Sequence, residues 1–360
     1  MQDPRTRNLA KVLVRYSVRA RAGDQVGING TSLAEPLILA IYEEVLRAGA
    51  FPAVRMLPAA ATEIFFAAGR PAHFTTLTPY QRAYATCMDA SINIQSEANT
   101  RGLSAASPAH QVQMAKTTKP VRAILMKKRW VGTLYPTPAY AQDAEMSLRD
   151  FEDFAYAAMF ADQPSPVSAW NALERCQAKL IGRLRRADEI RLVGPGTDLR
   201  LSVKGRTFIN SCGEHNVPSG EVFTGPVEDS AEGHIAFDYP VCVNGREIDG
   251  IRLVFRQGLV VEATAEKNGK YLTAMLDSDP GARRLGELGI GTNTFIQRFI
   301  RNILFDEKIG GTIHLALGQS YAETGGRNQS AIHWDMIKDL RRGGAVYVDG
   351  KLFEKDGRFV

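Results

Sequence analysis

Cysteine is scarce in this 360-residue chain. Cys87, Cys176, Cys212 and Cys242 lie far apart and none belongs to a CxxC pair, which excludes a zinc finger and a thioredoxin-like redox site. Reduced, mostly buried thiols are expected. Long apolar runs are missing too: nothing approaches 18 uninterrupted apolar residues, and Met1-Gln2-Asp3-Pro4-Arg5 has no apolar stretch behind its charges. A soluble cytoplasmic chain without membrane contact is therefore expected. Neither charge sign dominates, since 44 Lys and Arg stand against 39 Asp and Glu, a net charge of +5. The densest basic pieces, Lys127-Lys128-Arg129 and Arg183 with Arg185-Arg186, read as solvated faces, and so diffuse an excess argues against nucleic acid as a partner. No GxGxxG or GxxxxGK[ST] element sits at a strand-to-helix turn, so a nucleotide site lacks support. Repeats, low-complexity tracts and heptads are also absent.

What is present is globular composition, 44% hydrophobic and 23% charged, in a chain long enough for one large domain or two. Leu9, Val12, Leu13 and Tyr16 recur at helical spacing, and Gln25 to Ile28 reads as a strand. Ser32 caps a second helix whose face carries Leu33, Leu37, Ile41, Val45 and Leu46; Gly49 ends it and Pro52 to Leu57 is the next strand. Ala90 to Ile94 and the stretch from Val121 through Tyr135 read as further extended segments. Alternating strands and helices predict an α/β domain with a largely parallel sheet over residues 1–185. Gln163-Pro164-Ser165-Pro166 reads as a linker, followed by a helix capped at Ser168 with Trp170, Leu173, Cys176, Leu180, Ile181 and Leu184 on one stripe. From Glu189 the texture changes to short alternating runs punctuated by Gly194-Pro195-Gly196, Asn244-Gly245 and Gln257-Gly258. A mainly antiparallel α+β domain is predicted over residues 186–360.

The chemistry is concentrated between Gly311 and Ile337. As a strand, this stretch places Thr312, His314, Ala316 and Gly318 on one face and Ile313, Leu315 and Leu317 on the other. After a Gly-rich loop the pattern repeats, with Ala331, His333 and Asp335 opposite Ile332, Trp334 and Met336. Two neighbouring strands of this kind form a candidate metal-binding wall, in which imidazole and carboxylate suit zinc, manganese, cobalt or iron. Glu221 and Glu287, each flanked by Gly, and Glu307, one turn ahead of the His314 strand, are candidate carboxylates; taken singly, each reads as a surface residue. His73, His110, His215 and His234 stand in unpatterned contexts and read as surface or structural. Thr197-Asp198 reads as a turn at a strand start, and Asn216 and Asn328 as residues that orient ligand motifs.

These residues resemble the aminopeptidase T or S type of co-catalytic metallopeptidase, first known from thermophilic bacteria. The likeness covers nearly the whole chain. It runs from Ala10-Lys11-Val12-Leu13-Val14-Arg15-Tyr16-Ser17 and Ala34-Glu35-Pro36-Leu37 through Trp130 and Tyr135-Pro136-Thr137, and is dense from Gly194-Pro195-Gly196-Thr197-Asp198-Leu199 to Asp335. The resemblance implies an exopeptidase with two divalent ions (Zn, Co, Mn or Mg) in the C-terminal domain. It implies metal ligands at Glu221 (Pro-x-Gly-Glu), Glu287 (Gly-Glu), Glu307 (Asp-Glu), His314 (before Ala-x-Gly), His333 and Asp335 (His-x-Asp). It further implies a tyrosine beside the metals at Tyr321, and a homodimer whose subunits restrict access to short peptides. Ser219 stands where Asp is common, and the segment from Glu287 to His314 is tighter than in some members.

Four carboxylates balance two dications if both imidazoles are neutral. Glu287 is the expected bridge, Tyr321 the expected oxyanion donor and Glu221 the first candidate for general base. The competing enzyme reading is a mononuclear non-haem iron ring-cleaving dioxygenase using His314, His333 and Asp335, which leaves the three glutamates idle. A non-enzymatic binding protein is the third reading, and its charge is too diffuse to recommend it.

Overall fold

A computed structural model describes residues 3–243 and 246–360, so the expected Asn244-Gly245 turn lies outside the described residues. The chain divides into two compact units, Met1–Trp170 with Gly213–Pro218, and Asn171–Cys212 with Ser219–Val360.

The first unit is built on a parallel sheet with strand order Phe51–Leu57, Gln25–Thr31, Ala90–Gln95, Arg129–Leu134 and Asn216–Val217. The α/β reading of this half holds because its strands are joined through helices, the connection that parallel strands require. The helix Glu35–Arg47 starts with Pro36 in its first turn and buries Leu37, Ile41 and Val45 as their spacing predicts, while Leu46 is exposed. One expectation fails. Val121 to Met126 is not extended but forms the end of the helix Pro108–Met126, and the strand begins only at Arg129. Ala123, Leu125 and Met126 are strong helix formers, and the helix continues through Pro120. Among the described residues no helix is long and apolar enough to cross a membrane.

The helix Pro166–Leu184 begins at Pro166 rather than Ser168, since the fixed φ of proline suits a first turn. Its inward stripe runs through Gln177, which is buried, and leaves Cys176 exposed. Cys87 is exposed too, so only Cys212 of the free thiols is fully buried, against the expectation from composition.

The second unit pairs two antiparallel sheets. Eight strands run in the order Leu259–Thr264, Arg252–Arg256, Glu232–Ala236, Thr197–Ser202, Glu189–Gly194, Ala345–Val348, Lys351–Lys355 and Arg358–Phe359. Five run in the order His333–Asp339, Thr312–Gly318, Leu285–Gly291, Glu221–Thr224 and Ile209–Ser211. Leu192, Leu199, Ile235 and Phe255 of the larger sheet share one core cluster with Val222, Leu288, Ile290, Ile313, Leu315, Trp334 and Met336 of the smaller. Each such side chain contributes roughly 1.5–3 kcal/mol on burial. A one-residue slip in any of these strands would swap its faces, so the apolar core also fixes which residues point the other way.

Candidate metal centre

The face of the five-stranded sheet turned away from that core carries five of the six predicted ligands, and Glu307 comes from the end of the short helix Ile303–Asp306. Glu221 stands opposite Gly291, Gly289 opposite His314, Ala316 between Glu287 and Asp335, and Gly318 opposite His333. A register shift between Leu285 and Glu287 sends Leu285 into the core and Glu287 to the ligand face, the usual work of a β-bulge. The small residues between the ligands are spatially required. A Cβ added to Gly289 would lie 2.0 Å from Cε1 of His314, so the imidazole rests directly on that glycine.

Two groups of three result: Glu221, Glu307 and His314, and Glu287, His333 and Asp335, with the donor atoms of each group within 4.8 Å of one another. Glu287 lies between them. One of its oxygens is 3.3 Å from Nε2 of His314 and the other 3.4 Å from Nε2 of His333. Nε2 of His314 is also 3.4 Å from Glu221, and that of His333 3.6 Å from Asp335. Each imidazole donates its Nδ1–H to a backbone carbonyl, His314 to Glu307 at 3.0 Å and His333 to Gln319 at 2.8 Å. A carbonyl can only accept, so both rings are fixed with Nε2 toward the carboxylates, the tautomer a metal ligand needs. No hydrogen bond reaches Oε2 of Glu221 or Oδ1 of Asp335, although both atoms are buried.

Burial opposes charge throughout the cluster, and the neighbours decide the outcome. Burial raises Glu221 to about 7, with Glu307 and Glu287 adding to it and Lys308 and His314 opposing. Asp335 rises for the same first reason to about 6. Glu287 would be raised by burial, but the two histidines outweigh it and hold it near about 2. Burial would lower both imidazoles, yet the surrounding carboxylates carry His314 and His333 up to about 10. So concentrated a negative field calls for cations. The donor set, nitrogen and carboxylate oxygen without thiolate, fits divalent zinc, cobalt or manganese.

Three residues that sequence reasoning passed over hold the site together. Lys308, fully buried, donates to Glu307 and lies 3.6 Å from Glu221. Its ammonium is raised by Glu221 and Glu307 against the pull of burial. The charge balance drawn from sequence omitted this cation; four carboxylates less one ammonium leave minus three. Gln177 donates to the backbone carbonyls of Ser211 and Glu221 and so anchors the Glu221 strand. Gly289 is the third; the only sequence signal for it is a small residue two positions beyond Glu287, where a strand repeats its face.

Tyr321 packs its ring against His333, centroids 5.1 Å apart, and against Phe223 at 5.7 Å, and remains partly exposed. Burial and the four carboxylates push its hydroxyl well above the usual range. Asn328 donates to the carbonyls of Gly281 and Gly318, tying down the end of the His314 strand. Away from the cluster, His215 stacks on Trp130 and His110 on Phe74. Asp198 pairs with Arg191. In the basic run, Lys128 donates to the carbonyl of Thr86 and Arg129 pairs with Asp24, so these charges are engaged within the fold.

The family model for thermophilic metalloprotease (M29) matches residues 2–358. The chain belongs to the M29 family. Aminopeptidase 2 of Geobacillus stearothermophilus is 33% identical over 270 residues, 64% of this chain and 65% of that protein. The curated relatives are matched over 55% to 65% of their own length. Among solved structures, wild-type AmpT from Thermus thermophilus superposes with a TM-score of 0.86 at 24% identity, covering 99% of each chain. A 2,5-dihydroxypyridine dioxygenase from Pseudomonas putida KT2440 gives 0.57 at 17% identity, over 99% of this chain and 96% of that one. The fold of this chain is thus shared with a dioxygenase.

Proposed function

We propose that this M29 chain is a metal-dependent aminopeptidase that hydrolyses the N-terminal peptide bond of short peptides at a centre holding two divalent ions. The observation that carries the reading is the place of Glu287, one carboxylate oxygen toward each histidine, where it completes the group of His333 and Asp335 and faces the group of Glu221, Glu307 and His314. Glu221, Glu307 and His314 would hold one ion, His333 and Asp335 the other, and Glu287 would serve both. Such a pair supplies Lewis-acid polarisation of a carbonyl and lowers the pKa of a water.

The chain's own residues do the rest. Glu221, beside His314 and Glu307 at the centre, would take a proton from the attacking water and return it to the leaving amine. Tyr321 donates its hydroxyl hydrogen to the carbonyl oxygen as negative charge develops there. Lys308 holds Glu221 and Glu307 in place, and with it the loaded site carries one positive charge in surplus, the sign that favours an oxyanion. A single iron held by His314, His333 and Asp335 would leave Glu221, Glu287 and Glu307 without a task, which weighs against the dioxygenase reading. A homodimer in the cytoplasm belongs to the same proposal and is checked by sedimentation.

The test is metal analysis of protein purified without added metal, coupled to hydrolysis of amino-acid anilides before and after chelation. About two equivalents with chelator-sensitive turnover is the expected result. One equivalent of iron with oxygen uptake and no anilide hydrolysis would sink the reading.

A further inference from the structure

The ligand face does not stop at the metal centre. Beyond Asp335 the same side of the edge strand continues to Ile337, and there it opens into a cavity of about 140 Å³. His333 and Asp335 form its inner end; Tyr239, Phe299, Val241 and Ile303 form its walls. Tyr239 and Phe299 stack face to face, centroids 4.8 Å apart and planes within 8°. Their position is fixed from behind: the Tyr239 hydroxyl donates to Asp339 and accepts from Arg341, which is itself paired with Asp339. An aromatic wall held this way is preformed and costs little to organise around a ligand.

The charges at the rim are engaged. Arg301 lies 3.6 Å from Glu247, and Asp306 accepts the backbone N–H of Ile300. What the cavity offers an incoming group is therefore apolar and aromatic surface. An apolar cavity of roughly 150 Å³ accommodates one benzene ring, so this one has the capacity of a single Leu, Met or Phe side chain.

We infer that this cavity receives the side chain of the substrate's N-terminal residue and selects for large apolar and aromatic ones. The inference rests on the aminopeptidase reading of the adjoining centre. Tyr321, partly exposed, packs on His333 and does not line the cavity, which runs from His333 past Asp335 to Ile337. The peptide beyond the scissile bond has to run out to solvent, which assigns it to the Tyr321 side. The group that ends inside the protein is then the first residue's side chain.

The test uses the metal-loaded protein with Phe, Leu, Ala and Glu p-nitroanilides and the dipeptides Ala-Phe and Ala-Ala. Wild type is expected to favour Phe and Leu over Ala by roughly 10- to 200-fold in kcat/KM, the range for filling an apolar pocket. Ile303, exposed at the cavity wall, gives a filling variant outside the core: Ile303→Trp should reduce the Phe-to-Ala ratio at least ~10-fold. Phe299→Ala should lower it as well, by removing the stacked wall. Calorimetric binding of the products L-phenylalanine and glycine is expected to give the same ranking without turnover. A Phe-to-Ala ratio near one, or a ratio unmoved in both variants, overturns the subsite while leaving the aminopeptidase intact. Preference that follows the second residue, Ala-Phe over Ala-Ala, overturns the assignment to the N-terminal side. No hydrolysis of any member of the panel defeats the aminopeptidase reading and the subsite with it.

Discussion

Replacing Gly289 by Ala adds one methyl group at the centre of the ligand face. The new Cβ would lie 2.0 Å from Cε1, 2.2 Å from Nε2 and 2.8 Å from Nδ1 of His314, where ordinary contact begins at 3.4 Å. The ring must retreat by about 1.4 Å or the two strands must part. His314 cannot yield freely, because its Nδ1–H is held by the Glu307 carbonyl and the opposite face of its strand is locked in the core. Displacement of a reacting geometry by 1 Å costs about 10²-fold in rate, and overpacking costs about 1–3 kcal/mol of stability. For a domain of this size that lowers Tm by roughly 2–12 °C. We expect Gly289→Ala to lose at least ~10²-fold in kcat/KM and to bind less metal by elemental analysis. Gly182→Ala is the control: the same methyl enters a helix with nothing within 4 Å, and it should raise stability by about 0.5–1 kcal/mol. Wild-type kcat/KM and full metal content in Gly289→Ala would refute the argument that the glycine exists to seat the histidine.

Glu287→Ala should reduce metal content together with rate; unchanged stoichiometry would remove Glu287 from the shell. Lys308→Met breaks a buried ion pair and should cost the metal-free protein about 3–5 kcal/mol in urea unfolding, with the loss narrowing once metal is added; equal stability of the metal-free proteins would show the ammonium to be dispensable. Tyr321→Phe should lower kcat/KM by about 10²-fold with metal content retained, and wild-type kcat/KM would end the oxyanion role. Glu354 is fully buried, neither oxygen has a hydrogen-bond partner, and burial raises it from 4.5 to about 7. The folded state thus holds the extra proton, so the contribution of Glu354 to stability is full below pH 4.5 and about 3 kcal/mol of it is lost as pH rises through 7. Glu354→Gln should flatten that slope, and an identical pH profile in the variant would contradict it.

The strands that carry the ligands were readable because they alternate: Thr312 to Gly318 and His333 to Met336 declare a bulky face and a small, polar one, and the structure keeps both. The glutamates were harder, since a lone Glu carries no periodic signal and only the family resemblance singled out Glu221, Glu287 and Glu307. Lys308 was illegible for the opposite reason. A lysine beside a glutamate reads as surface, and only tertiary packing reveals that Lys308 is buried and meets a second glutamate, Glu221, from more than 80 residues away. Gln177 was hidden by a helical stripe assigned through Cys176, one position off. The stretch from Val121 was misread as extended although it ends a helix that runs through Pro120.

The ligands are scattered from Glu221 to Asp335, and no donor group is local: one needs Glu221 beside His314, the other Glu287 beside His333. During synthesis at about 5–20 residues per second, Glu287 leaves the ribosome a few seconds before His333. Until the last ligand strand has paired with its neighbour, the growing chain has carboxylates but no finished cradle. The two donor groups are thereby completed in sequence, the one with His314 before the one with His333 and Asp335, so the two-ion centre proposed for this chain could be finished only late in synthesis.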